Sequence, residues 1–269
     1  MIELATENLA GIECIHASPA GQRQARLPTI LFYHGFTSSK EVYSYFAVAL
    51  AQAGFRVVMP DADMHGSRYN GDTEMRMTHF WEILRQNIDE VPLLEAALRE
   101  KDWIADKRFA VAGASMGGMT ALGAMARYPQ IHSIACMMGS GYFMQLSHTL
   151  FPPLVAHTPE QKETFATRLA PLAPYDPSQQ LDKLANRPLL LWHGEADVVV
   201  PFAETVRLER ALNEAQLDGN IPFLAEKHIG HTISPPAPSA LVSFFNPPLN
   251  KPHVLANAPS PLPPPPLPW

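Results

Sequence analysis

Cysteine is scarce in this chain of 269 residues: only Cys14 and Cys136 occur, far apart and each in an apolar stretch. That excludes a disulfide framework and a cysteine-held metal, and leaves two buried free thiols suited to a reducing cytoplasm. Long runs of one charge sign are missing as well. The formal charge of -6 is spread over mixed Lys, Arg, Asp and Glu, without the basic stripe that would grip a phosphate backbone, so nucleic acid is not an expected partner. Glu3 and Glu7 stand where a secretory leader would carry Lys or Arg, and no long apolar core follows them. No H-E-x-x-H, G-x-G-x-x-G or Walker lysine motif occurs among the 11 histidines and 15 glycines, so no metal and no cofactor is expected.

A membrane span is also not expected. Residues 109–126 carry no charge, but they hold several glycines together with Ser115 and Thr120, which reads as a buried strand running into a buried helix. The second uncharged stretch, 133–159, is broken by Gly139, Gly141, Pro152 and Pro153.

What the sequence does have is a rhythm. Short apolar runs bounded by Gly, Pro or Asp alternate with helix-patterned segments, the signature of repeated βα units around a mostly parallel, twisted sheet with helices on both faces. Strands are predicted at 28–34, 55–60, 108–113, 133–138, 188–193 and 221–226, and helices at about 42–53, 78–100, 116–128 and 202–216. Pro92 is expected to kink or break the second helix. The length suits one domain, spanning residues 1–245. From about 142 to 187 the rhythm lapses into "FPPL", "APLAPYDP" and a polar helical piece, and so long an insertion is expected to form a small cap over the strand ends. Residues 246–269, ending "APSPLPPPPLPW", read as a disordered, polyproline-prone tail, with docking to a proline-reading domain as the less favoured alternative.

Chemistry concentrates at Gly113-Ala114-Ser115-Met116-Gly117, which matches G-x-S-x-G in the strand-to-helix context that the motif requires. At the apex of such a turn the Ser115 hydroxyl can attack a carbonyl, and the amide of Met116 points to where the oxyanion forms. A serine needs a base, and the base needs an orienting carboxylate. No aspartate lies between Ser115 and Asp176. The strand "LLLWHG" then delivers Asp197 to the edge where parallel strands end, which makes it the predicted acid ahead of Asp176 and Asp182. Downstream, His231 follows Gly230 in a loop and is preferred as base over His228, while His253 falls in the tail. Because that base must start neutral, kcat/KM is expected to rise with pH through the ordinary histidine range, roughly 6 to 7. "HGFTSS" supplies Phe36 as a second oxyanion amide. His34 is expected to hold its loop by hydrogen bonds and His65 to support the site edge. Both, with Tyr142, Phe143 and Phe151 of the cap, are candidates for contacting substrate.

Ser115, Asp197 and His231 in that order, with "HGF" upstream, resemble the α/β-hydrolase superfamily. "FYHGFTSS", "YSYFAVALAQAG", "MPDADMHGSR", "GASMGGMTALG", "MMGSGYF" and "RPLLLWHGEADVVVP" resemble the small YjfP-type bacterial esterases over roughly residues 2–245. That resemblance implies a Ser-Asp-His carboxylesterase related to dienelactone hydrolases, which place cysteine where Ser115 stands, and to prolyl-oligopeptidase catalytic domains, whose propeller has no counterpart here. A small or medium acyl ester is the expected substrate, a thioester such as an acyl-CoA the alternative, and a non-catalytic binding protein of this fold the remote one.

Overall fold

Neighbouring residues in the central strands face opposite ways, and their side chains build two separate cores. Leu31, Tyr33, Val111, Ile134, Cys136, Leu189 and Leu191 join one apolar cluster. Their neighbours Ile30, Phe32, Ala110, Ala112, Ala135, Met137, Leu190 and Trp192 join the other. A sheet buried on both faces needs continuous apolar strands and helices on each side. The computed structural model, which describes residues 1–250 except 185, 218 and 220, has that arrangement.

The strands are β1 (Ile2–Leu9), β2 (Ile12–Pro19), β3 (Leu27–Tyr33), β4 (Arg56–Pro60), β5 (Ile104–Ala114), β6 (Ser133–Met137), β7 (Leu189–Gly194) and β8 (Phe223–Glu226). They form one sheet in the order β1-β2-β4-β3-β5-β6-β7-β8. β3 to β8 are parallel, and only the β1–β2 and β2–β4 pairings are antiparallel. The helices are α1 (Ser44–Gln52), α2 (Thr73–Thr78), α3 (Phe80–Glu100), α4 (Met116–Arg127), α5 (Phe143–Leu146), α6 (Pro159–Leu169), α7 (Ala203–Glu214) and α8 (Ala237–Asn250). α1 and α8 cover one face through Phe46, Leu50, Leu241 and Phe245. α3, α4 and α7 cover the other through Leu94, Leu98, Leu122, Leu208 and Leu212. This is the α/β-hydrolase architecture, and no described helix is long and apolar enough to cross a membrane.

Four expectations change. The N-terminal hairpin β1–β2 was not predicted: β1, at the sheet edge, keeps Glu3, Leu4 and other side chains exposed and so lacks a strong apolar run. Pro92 does not break α3, which is one helix over Phe80–Glu100. The bond that residue 92 cannot donate to Ile88 is outweighed by the apolar stripe of Ile88, Val91, Leu94 and Leu98 on either side of it. Residues 73–78 form the separate helix α2, capped by Asp72, whose side chain accepts from the amide of Met75. The boundary expected at 245 falls inside α8, which continues to Asn250 because Phe245 and Leu249, one turn apart, are both buried. The rest of the predicted tail, 251–269, lies outside the described residues.

The segment read as a cap holds α5, α6 and short 3-10 turns at 170–175, 177–179 and 181–184. It rests on the first turns of α3. The Trp81 indole N–H donates to Leu150 O at 3.0 Å, Arg168 pairs with Glu82 at 2.6 Å, and the Tyr175 hydroxyl donates to Asp89 at 2.7 Å. Between cap and body lies a third apolar cluster, with Phe80, Trp81, Met116, Phe143, Phe165 and Leu169 in it and Phe36 and Phe151 at its margin.

Candidate active site

β5 ends on Ala114, and the chain turns into α4 through a single residue, Ser115, held at φ 56° and ψ -116°. A side chain tolerates this left-handed backbone only at a cost of order 1–3 kcal/mol, so the surroundings must enforce it. They do so by packing. A Cβ on Gly117 would stand 2.0 Å from Tyr33 O, so only glycine lets α4 start this close to the end of β3. β3 has β4 on one side and β5 on the other, making the rim above it the point where strand order reverses and where such sheets place their ligands.

The base arrives from the far edge. After β8 the chain passes Ile229 and Gly230 over the end of β7, where a Cβ on Gly194 would lie 2.3 Å from Ile229 O. The absent side chain lets the loop lie flat, and the amide of Ala196 donates to Ile229 O at 2.9 Å. His231 then reaches back so that its Nε2 is 2.9 Å from Ser115 Oγ and its Nδ1 is 2.7 Å from Asp197 Oδ2. A carboxylate only accepts, so Nδ1 carries the proton and Nε2 is free to take the Ser115 hydroxyl hydrogen. The other Asp197 oxygen accepts from the amides of Val199 and Val200 at 2.9 and 3.1 Å. Burial alone would raise the Asp197 pKa; hydrogen bonds from His193 and His231 outweigh it and hold the carboxylate at about 2.

A cavity of about 280 Å³ opens over Ser115 and His231, walled by Gly35, Phe36, Val42, Tyr43, Tyr45, Met138, Thr232 and Ile233. In the loop after β3 the amide of Thr37 donates to His65 Nε2 at 2.8 Å and that of Ser38 to Gly35 O at 3.2 Å. The amides of Phe36 and Met116 have no acceptor among the described residues, as donors awaiting a ligand oxygen would.

The residues expected to touch substrate are placed differently. His34 and His65 do not wall the cavity; both are buried clips between loops. His34 donates Nδ1–H to Gly35 O at 2.8 Å and accepts from the amide of Ala62 at 3.0 Å. His65 donates Nδ1–H to Asp63 O at 2.7 Å while Nε2 holds Thr37. Burial lowers both pKa values, that of His65 to about 4, so each ring is kept neutral. Tyr142 lies under the Arg207 guanidinium, and Phe143 is buried against Trp81. Phe151 adjoins the cavity wall from the cap, its ring 4.8 Å from that of Phe36, and His65 backs the same Phe36 ring at 5.3 Å. Tyr43, Tyr45, Met138 and Ile233 went unanticipated, since no pattern distinguishes residues that a loop folds over a site. His193 went unanticipated because it reads as the end of a strand.

Both cysteines are buried, and burial pushes their thiols up to about 12, far from nucleophilic at neutral pH. Among the described residues one group of carboxylates is close enough to share a metal, Glu13, Glu41 and Asp61. It surrounds Lys40, whose ammonium lies 2.9, 2.9 and 2.6 Å from them.

The model of the prolyl oligopeptidase family matches residues 41–242. Esterase YjfP of Escherichia coli K12 is 51% identical over 245 residues, covering 91% of this chain and 98% of that protein. Among solved structures, TT1662 from Thermus thermophilus superposes with a TM-score of 0.72 at 21% identity, over 91% of this chain and 97% of that one. An acylaminoacyl peptidase from Pyrococcus horikoshii superposes at 0.69 and 17% identity, over 93% of this chain but 42% of its own.

Proposed function

The chain belongs to the prolyl oligopeptidase family, and on that footing we propose that this hydrolase is a serine carboxylesterase acting on small and medium acyl esters through an acyl-enzyme. The observation that carries the reading is the unbroken hydrogen-bonded line from Ser115 through His231 to Asp197, opening into a cavity. Ser115 Oγ attacks the ester carbonyl while its proton passes to His231 Nε2, and Asp197 stabilises the imidazolium that results. The negative oxygen formed at the carbonyl is received by the amides of Phe36 and Met116, aided by the positive end of α4. Collapse expels the alcohol, protonated by His231 Nε2–H, and leaves Ser115 acylated. Water then enters, gives its proton to the same nitrogen, and releases the acid.

An ester of small or medium acyl length fits a cavity of about 280 Å³ over Ser115. The acyl side faces Phe36 and Phe151, which join the apolar cluster under the cap. Two buried thiols suit a reducing compartment, and we place its work in the cytoplasm. The test is hydrolysis of a p-nitrophenyl acyl series by the wild type and Ser115→Ala, with phosphonate labelling of the serine. A fall of about 10³-fold or more together with loss of labelling is expected; undiminished turnover by the variant would overturn the proposal.

A further inference from the structure

The mechanism above uses one histidine, yet Asp197 is held by two. His193, near the end of β7, is fully buried, with Nε2 2.9 Å from Val200 O and 3.2 Å from Asp197 Oδ2, and Nδ1 2.7 Å from the Thr205 hydroxyl of α7. Carbonyl and carboxylate oxygens only accept, so the proton is on Nε2 and Nδ1 takes the Thr205 hydrogen. Asp197 Oδ2 therefore accepts Nδ1–H from His231 at 2.7 Å and lies 3.2 Å from His193 Nε2, whose one N–H is divided between Val200 O at 2.9 Å and the carboxylate, while Oδ1 is held by two amides.

We propose that His193 is a positioning residue for the esterase reaction: its Nε2–H shares Asp197 Oδ2 with His231, locking the carboxylate against rotation and limiting the charge it presents to the base. The inference rests on the reading of Ser115, His231 and Asp197 given above. His193 itself touches no substrate, since the cavity wall does not include it. Its effect is transmitted through one oxygen atom. Remove that donor and Oδ2 is left to His231 alone, so the imidazolium is favoured more and a higher pH is needed to obtain the neutral base. The carboxylate also gains freedom to turn, which lowers turnover.

Few other charges face this cluster. Tyr43 and Tyr45, across the cavity, have phenol pKa values raised by burial, Tyr45 to about 12, and stay neutral through the working range. On α7, Glu204 is tied to Ser140 and Arg207; on β8, Glu226 is tied to the Trp192 indole.

The test is the pH profile of kcat/KM for p-nitrophenyl ester hydrolysis by wild type, His193→Leu and His193→Gln. In the leucine variant kcat should fall by about 10- to 100-fold, the worth of one hydrogen bond to a charged group, and the acid limb should move up by about half a unit to one unit. Glutamine, whose side-chain Nε2 can donate from the same place, should return the limb to its wild-type position and recover most of the rate. A leucine variant whose limb stays put, with no rescue by glutamine, would reduce His193 to packing and overturn the proposal. Nitrogen NMR of the histidine-labelled wild type supplies a test independent of how the variants fold: Nε2 of His193 must carry the proton at pH 8, and the opposite tautomer would sink the idea. Turnover that survives Ser115→Ala would instead strike the esterase reading itself, so the two failures are distinguishable.

Discussion

Lowering the pH from 8 to 5 should remove about 4 kcal/mol of folding stability through two buried histidines, His16 and His65. Each has a pKa brought from 6.5 down to about 4, in both cases mainly by burial, with the Arg56 charge adding to the effect at His16. A folded value below the unfolded one means that the unfolded chain takes up the protons first. The stabilisation is therefore complete above about 6.5 and drains away as the pH falls toward 4. At pH 5 the unfolded imidazole is almost fully protonated and the folded one barely, a difference of about 2 kcal/mol per residue by linkage. Carboxylates such as Asp197 lie below this window, with a depressed value of about 2 that matters only under stronger acid. Against a typical total of about 5–15 kcal/mol the pair is a large fraction, and for an m-value near 2 kcal/mol per M the urea midpoint should drop by about 2 M. His65→Gln keeps an acceptor for the Thr37 amide but cannot ionise there, so in this variant the pH-dependent loss should shrink by about half. Equal urea midpoints at pH 8 and pH 5 would refute the reasoning.

Gly117→Ala should fail to reach the native state or lose several kcal/mol, because its methyl would sit 2.0 Å from a backbone oxygen that cannot yield; a midpoint within about 0.5 kcal/mol of wild type contradicts this. Asp197→Asn should keep the fold and lower kcat by about three to four orders of magnitude, with circular dichroism unchanged, since the amide no longer fixes the His231 tautomer. Phe151→Ala opens the boundary between the cavity wall and the cap cluster, so the optimum acyl length in a p-nitrophenyl series should lengthen; an identical length profile would remove Phe151 from the acyl side.

How far the sequence could be read depended on whether a residue's job is local. Ser115 was legible because a strained turn between strand and helix forces glycine around it, and Gly117 carries that constraint openly. Asp197 and His231 follow from chain order and from strand ends gathering at one rim. Nothing comparable marks Tyr43 or Tyr45, whose place over the cavity is decided by how the loop before α1 folds, nor the two hydrogen bonds that turn His34 and His65 away from substrate. The β1–β2 hairpin was hidden for another reason: an exposed edge strand needs few apolar residues, so its pattern is faint. Pro92 leaves α3 unbroken because the buried stripe around it outweighs one lost hydrogen bond, a balance that the proline by itself does not reveal.

The geometry in which His231 follows the last strand while Ser115 sits in the middle of the sheet bears on the order of assembly during synthesis. A nascent chain that has emerged through α7 already holds Ser115 and Asp197, yet lacks the histidine that, on the proposed reading, takes the hydroxyl proton. On that reading, hydrolytic competence waits for β8 to dock and for the loop beyond it to bring in His231. Regained turnover in a refolding experiment is accordingly a late clock, timing the closing of the sheet's far edge rather than the first collapse.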